Sequence, residues 1–148
     1  MLEKWFDKPI IDWGGEVSPE YKIFQRNYKS VLREMAKQIE FELYSFSQTH
    51  YCFSAVMKSN ITKQFYYISI SDVRYFKNEW AENILYRTMK HDKDWTGGTN
   101  RYTTLENLSK NLLKLDKQIL KDLKNSRQLI NHIEPQKSTT EDFDLKYA

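Results

Sequence analysis

A chain of 148 residues with a mean hydropathy of −0.75 is long enough for one domain with a sizeable core and leaves much of its length facing water. Lys and Arg number 23 against 20 Asp and Glu, and the resulting net charge of +3 excludes an acidic nucleic-acid mimic without itself requiring a nucleic-acid partner. Cys52 is the single cysteine, which excludes an internal disulfide framework or a multi-cysteine metal site; there is no apolar run approaching the roughly 18 residues of a membrane span and no signal-peptide segment at the start, so the expectation is a cytoplasmic protein with no membrane association.

Residues 1–17 mix Trp5, Phe6, Pro9, Ile10, Ile11 and Trp13 with charges in no regular period and read as an arm on a single domain spanning 18–133. Ser18-Pro19-Glu20 supplies a cap, a proline suited to the first helical turn and a carboxylate at the positive end of a helix. Tyr21, Phe24, Tyr28, Val31, Leu32, Met35 and Ile39 then recur at spacings of three and four, with Lys22, Arg26, Lys29 and Arg33 between them. The period shifts at Glu40. Phe41 to Phe46 alternates imperfectly and Tyr51 to Met57 alternates with large residues at odd positions, which predicts two strands joined by Ser47-Gln48-Thr49-His50. Gln64 to Ser71, rich in aromatic and β-branched residues, predicts a third strand. Asp72 to Trp80 reads as an irregular connection with a helical turn, and Ile84 to Lys90 as a fourth strand, although Trp80 to Met89 also fits helical spacing.

The clearest punctuation is Asp94-Trp95-Thr96-Gly97-Gly98, echoing Asp12-Trp13-Gly14-Gly15. Its glycines permit a tight turn, Trp95 is expected to plug the end of the core, and Thr103 with Glu106 has capping-box spacing. Leu105, Leu108, Leu112, Leu115 and Ile119, continued by Leu120, Leu123, Ile130 and Ile133, predict a helix from Thr104 to His132. Such a helix is on the order of 44 Å long, so its first half is expected on the sheet and its second half offered to a partner or a second copy, as in a homodimer, the alternative being a self-contained helical hairpin with the N-terminal helix. Pro135 stops it, and 134–148 reads as a disordered tail. The fold class is therefore α+β, an antiparallel sheet of three to four strands flanked by an N-terminal helix and a long C-terminal helix.

Chemistry is sparsely marked. His50, His91 and His132 lack the spacing of a helical metal pair, and Gly97-Gly98 fits neither a Rossmann fingerprint nor a phosphate-binding loop, so no metal and no cofactor is implied. A small metal-dependent nuclease would have to use Asp72, His91, Asp92 and Asp94, yet aspartates before a glycine turn commonly bond local amides. The leading expectation is no catalytic residue. The candidate binding residues are the helical cations Lys22, Arg26, Lys29, Arg33, Lys110, Lys114, Lys117 and Lys121, together with Arg74, Tyr86 and Arg101. The order helix, strands, helix resembles a double-stranded-RNA-binding domain, in which case Tyr44, Phe46, Tyr51, Phe53, Tyr66, Tyr67 and Tyr86 on exposed strands could stack bases. The long first helix, the extra strand and the lack of a basic cluster opening the last helix depart from that family.

Lys4 to Ile11, Tyr66 to Tyr75 and Thr96 to Asn100 look like parts of small proteins carried by phages and conjugative plasmids of AT-rich bacteria, a source that the Lys, Asn, Ile and Tyr content also fits. In size and single-domain character the chain is similar to the anti-CRISPR proteins among them. That resemblance implies a non-enzymatic inhibitor of a bacterial defence nuclease, with Cas9 or its guide RNA as partner. The alternative is an RNA- or DNA-binding accessory protein of a mobile element.

Overall fold

The computed structural model describes residues 19–49, 52–71, 73 and 79–132. Helix α1 (Pro19–Gln38) leads into strands β1 (Phe41–Thr49), β2 (Cys52–Ser59) and β3 (Phe65–Ile70). A single-turn helix α2 (Glu79–Glu82), strands β4 (Ile84–Met89) and β5 (Arg101–Thr103), and helix α3 (Leu108–His132) complete the order. All five strands form one antiparallel sheet in sequence order, β1-β2-β3-β4-β5. The α+β class holds, with one strand more than the sequence led us to expect.

α1 begins at Pro19, whose fixed φ suits a first helical turn, with the expected cap Ser18 outside the described residues, and ends where Glu40 takes a left-handed φ of 60°, which turns the chain into β1. Its apolar stripe, Tyr21, Phe24, Tyr28, Leu32 and Ala36, is buried. The imperfect alternation of β1 is a bulge: Leu43 faces Met57 and Ser45 faces Val56, leaving Tyr44 as the extra residue. Leu43 and Phe46 consequently both pack against the core, with Tyr44 and Ser45 looping out between them. The first hairpin turn lies further along than expected, because Ser47, Gln48 and Thr49 are paired strand residues opposite Ser54, Phe53 and Cys52.

One face of the sheet carries the core. Phe53, Ala55 and Met57 of β2, Tyr66, Ile68 and Ile70 of β3, and Ile84 and Tyr86 of β4 are buried there against α1, α2 and α3. Phe24 and Tyr28 stack on each other and both meet Trp80 edge-on, with ring centroids 5.2 Å apart for Phe24 and Trp80 and 5.4 Å for Tyr28 and Trp80. Among the described residues the aromatic rings are thus spent largely on the core. Phe53, Tyr66 and Tyr86 are core residues rather than exposed stacking platforms, Phe46 is partly buried, and Tyr51 lies outside the described residues.

α3 starts at Leu108, later than the expected Thr104. Thr103 is buried in β5, so it cannot cap; the Thr104 hydroxyl instead accepts from the Asn107 amide at 3.1 Å, closing a turn just before the helix. Buried Leu108, Leu112 and Ile119, with partly buried Leu115 and Leu123, seat α3 on the core. The packed length therefore runs past Ile119, beyond the half-helix expected, while Ile133 and the side chain of Ile130 lie outside the described residues. On the same inward stripe sits Asp116, 2% exposed. Its carboxylate accepts hydroxyl hydrogen bonds from Ser59, Thr62 and Tyr66, each at 2.7 Å, so it ties α3 to the β2–β3 turn. The Tyr66 phenol is held well above its ordinary pKa by burial and then by the Asp116 charge, and remains a donor. No described helix is long and apolar enough to cross a membrane.

Candidate functional site

Side chains at i, i+4, i+7, i+11 and i+14 share one face of an α-helix. Lys110, Lys114, Lys117, Lys121 and Lys124 have that spacing on α3, and all five are exposed on the side opposite Leu112, Asp116 and Ile119. At 1.5 Å per residue the row is roughly 21 Å long, about one ammonium per helical turn. Between the lysine stems lies a shallow hollow of about 500 Å³, floored by Leu113 and closed by Gln118, and a second of about 360 Å³ follows around Leu120 and Asn125. The carboxylates of α3 are fewer than its cations. Asp116 is buried beneath the helix, and Asp122 accepts from Gln118 Nε2 at 3.2 Å. Helix α3 holds six cations and two carboxylates, a surplus of four in a chain whose total is +3, so the rest of the molecule is slightly acidic.

The α1 cations do not join this face. Lys22, Arg26, Lys29 and Arg33 are exposed, and Lys29 Nζ lies 5.8 Å over the Phe46 ring of edge strand β1. The groove of about 450 Å³ where α1 meets α3 is lined from α1 by Asn27, Ser30, Val31, Glu34, Met35 and Gln38, and from the other side by Glu106 and Ser109. It contains two carboxylates and none of those four cations. Two separate basic stripes result. Arg101 is half-exposed on β5, pairs across from Tyr86 and donates to the Thr99 carbonyl at 3.1 Å. Tyr86, at 9% exposure, belongs to the core and is withdrawn as a surface contact, because a ring so covered has no face to offer. Arg74 and Asp72 lie outside the described residues.

Sequence reasoning missed the opposite face of the sheet. There Val56, Tyr67 and Arg87 stand in register on β2, β3 and β4, as do Lys58, Phe65 and Met89. Arg87 is 4% exposed and stacks on Tyr67, its guanidinium carbon 4.7 Å from the ring centroid. It donates to the carbonyls of Thr88, Gly97 and Asp94. Those bonds draw the 90–100 loop onto this face. Trp95, expected to plug the core, is 57% exposed and meets Tyr67 edge-on at 5.9 Å. Tyr102 and Tyr44 are 60% and 46% exposed. Strict alternation would have placed Arg87 opposite Tyr86 and Thr88, and Tyr102 opposite Thr103; that was the available signal.

The His91–Asp94 cluster is engaged locally. Asp94 accepts from the amides of Lys90 at 3.0 Å and Gly97 at 2.9 Å, and these bonds, with Arg87 nearby, hold its carboxyl below the ordinary aspartate range against the opposing pull of partial burial. Asp92 accepts from the Tyr44 hydroxyl at 3.0 Å, which raises the phenol's pKa, and His91 Nδ1 accepts from the Lys93 amide at 3.2 Å. Among the described residues no group of three or more His, Cys, Asp or Glu side chains could hold a metal ion. No family model, curated protein or solved structure matches this chain.

Proposed function

We propose that this protein is a non-enzymatic nucleic-acid binder that works through the lysine stripe of α3, and that its target is the RNA carried by a bacterial effector nuclease, Cas9 with its guide RNA being the first to test. The observation that carries the reading is the charge distribution: Lys110, Lys114, Lys117, Lys121 and Lys124 are exposed on one face, and their helix holds more than the whole chain's net charge. A regular row of ammonium groups is complementary to a phosphate backbone. The nucleic-acid channel of such a nuclease is itself positively charged, so a lysine row suits its RNA and is repelled by its channel. The resemblance to anti-CRISPR proteins supports the choice of target.

The test is fluorescence anisotropy of labelled guide RNA across a salt series, with wild type and the double variant Lys114→Glu/Lys121→Glu. Engagement of five lysines gives a slope of log affinity against log salt of roughly −3.5 to −4.5, and the variant's slope is shallower by about 1.5 or more. Binding indifferent to salt, or unaltered by the double reversal, removes α3 as the site. Cas9 that cleaves normally at saturating protein removes the proposed target while leaving the RNA-binding result to stand on its own.

A further inference from the structure

We propose that the face of the sheet turned away from α1 and α3 is a second site, which takes the unpaired bases of single-stranded RNA by stacking on Trp95, Tyr102 and Tyr44. Three large rings with about half or more of their surface in water stand on one face, an arrangement that marks a surface built to be covered. Tyr44 lies on β1 and Tyr102 on β5, so the row crosses four strand spacings, roughly 19 Å, which is room for a few extended nucleotides.

The platform is preformed. Trp95 belongs to a loop whose Asp94 and Gly97 carbonyls are held by Arg87 and whose Asp94 carboxylate holds two loop amides, so the backbone carrying the indole is anchored, and the ring itself rests edge-on against Tyr67. Tyr44 is oriented by its hydrogen bond to Asp92 and by the Phe65 ring, edge-on at 5.1 Å. An aromatic surface held rigid before binding loses little entropy when a flat ring settles on it.

Charge selects the occupant. Lys58 Nζ lies 5.2 Å over Phe65, and Lys90 and Lys93 are exposed on the loop, opposed by Glu42 and by Asp92, the latter already bonded to Tyr44. Lys58 thus stands beside the aromatic row, and Lys90 and Lys93 lie on the loop that carries Trp95, as a phosphate backbone accompanying stacked bases requires. A base has a π-face whatever its identity, so recognition here is tolerant of sequence. This inference takes its choice of RNA from the reading of α3 and is otherwise independent of it, since it concerns the opposite side of the sheet.

The experiment is anisotropy of a fluorescein-labelled oligouridine and of a labelled RNA duplex, with the full chain, Trp95→Ala, Tyr102→Ala and their double variant. Circular dichroism confirms that each variant is folded, as expected for rings this exposed. Each single variant is expected to weaken oligouridine binding by roughly 5- to 150-fold, the double more, with duplex binding unchanged. Absent oligouridine binding, binding indifferent to both substitutions, or equal losses on the duplex would overturn the proposal. Self-association abolished by the double variant, with no oligonucleotide bound, would assign the face to a second copy and also overturn it. Loss on Lys114→Glu/Lys121→Glu for the duplex alone and on Trp95→Ala/Tyr102→Ala for the single strand alone would establish two sites; failure of only one pair identifies which reading is wrong.

Discussion

Asp116 shows how one residue can look functional and be structural. A carboxylate 2% exposed would be costly if its oxygens went unsatisfied, yet three hydroxyls donate to it and Ser59 Oγ in turn accepts the amides of Ile61 and Thr62. Asp116→Ala strands the buried Ser59 and Tyr66 hydroxyls, at about 1–3 kcal/mol each, while half-exposed Thr62 can turn to water, so the expected loss is roughly 2–6 kcal/mol, read from the urea midpoint. Asp116→Asn keeps one acceptor oxygen and should lose less; equal losses would mean packing, not hydrogen bonding, sets the cost. Asp94 acts through its ionisation. Its folded-state pKa is lowered, so its charge contributes stability above the unfolded-state value that is lost as pH falls through the folded one. The amides of Lys90 and Gly97 should therefore exchange with solvent faster as pH drops below the usual aspartate range, relative to core amides. In Asp94→Asn their protection should already be reduced at neutral pH and should not fall further over that acid range, and an acid response unchanged by the substitution would place the titrating group elsewhere.

The 90–100 loop is the element on which the open face depends, and its fixed point is Gly98. Its φ of 88° lies where a side chain is strained, and a Cβ there would sit 2.5 Å from the Thr88 carbonyl oxygen of β4. Gly98→Ala is expected to cost about 1–3 kcal/mol and to lift the loop from Arg87. At Gly97, where φ is not left-handed, the nearest atoms to a Cβ belong to the Asp94 side chain rather than to backbone, so Gly97→Ala should be milder in the same thermal melt although shifting Asp94 loosens its bonds to the Lys90 and Gly97 amides; the reverse order would place the strain wrongly. The glycine pair was legible in the sequence as a turn, but the exposure of Trp95 was not. A loop's solvent face depends on what it lies against, and that is set by Arg87 on another strand. α1 was legible because Pro19 and its three-four stripe agree, whereas β5, three residues long, is too short to show a period. Trp80 to Met89 looked both helical and extended because it holds one turn of α2 followed by β4. The α3 lysines were visible as a repeat, but not their separation from the α1 cations, which depends on how the two helices lie on the sheet.

At the scale of the molecule, charge is segregated: two basic helices, α1 and α3, on one side of the sheet and an aromatic surface on the other. That segregation bears on the homodimer proposed through the distal half of α3. Leu120 and Leu123 are only half-buried there, so apolar surface remains, but the neighbouring Lys117, Lys121 and Lys124 are exposed on the same segment. Joining two copies along it brings like-charged rows within a Debye length, about 10 Å at 0.1 M salt, and the repulsion weakens as salt is added. Self-association through α3 should therefore strengthen with ionic strength, whereas RNA binding by the same helix weakens. Sedimentation equilibrium should give the mass of one chain at low salt and a rising average mass at high salt, with Leu120→Lys suppressing the rise. One chain at every salt concentration would remove the dimer. A dimer already complete at low salt would show that the copies meet on a surface away from the lysine stripe, leaving that stripe free for RNA in both.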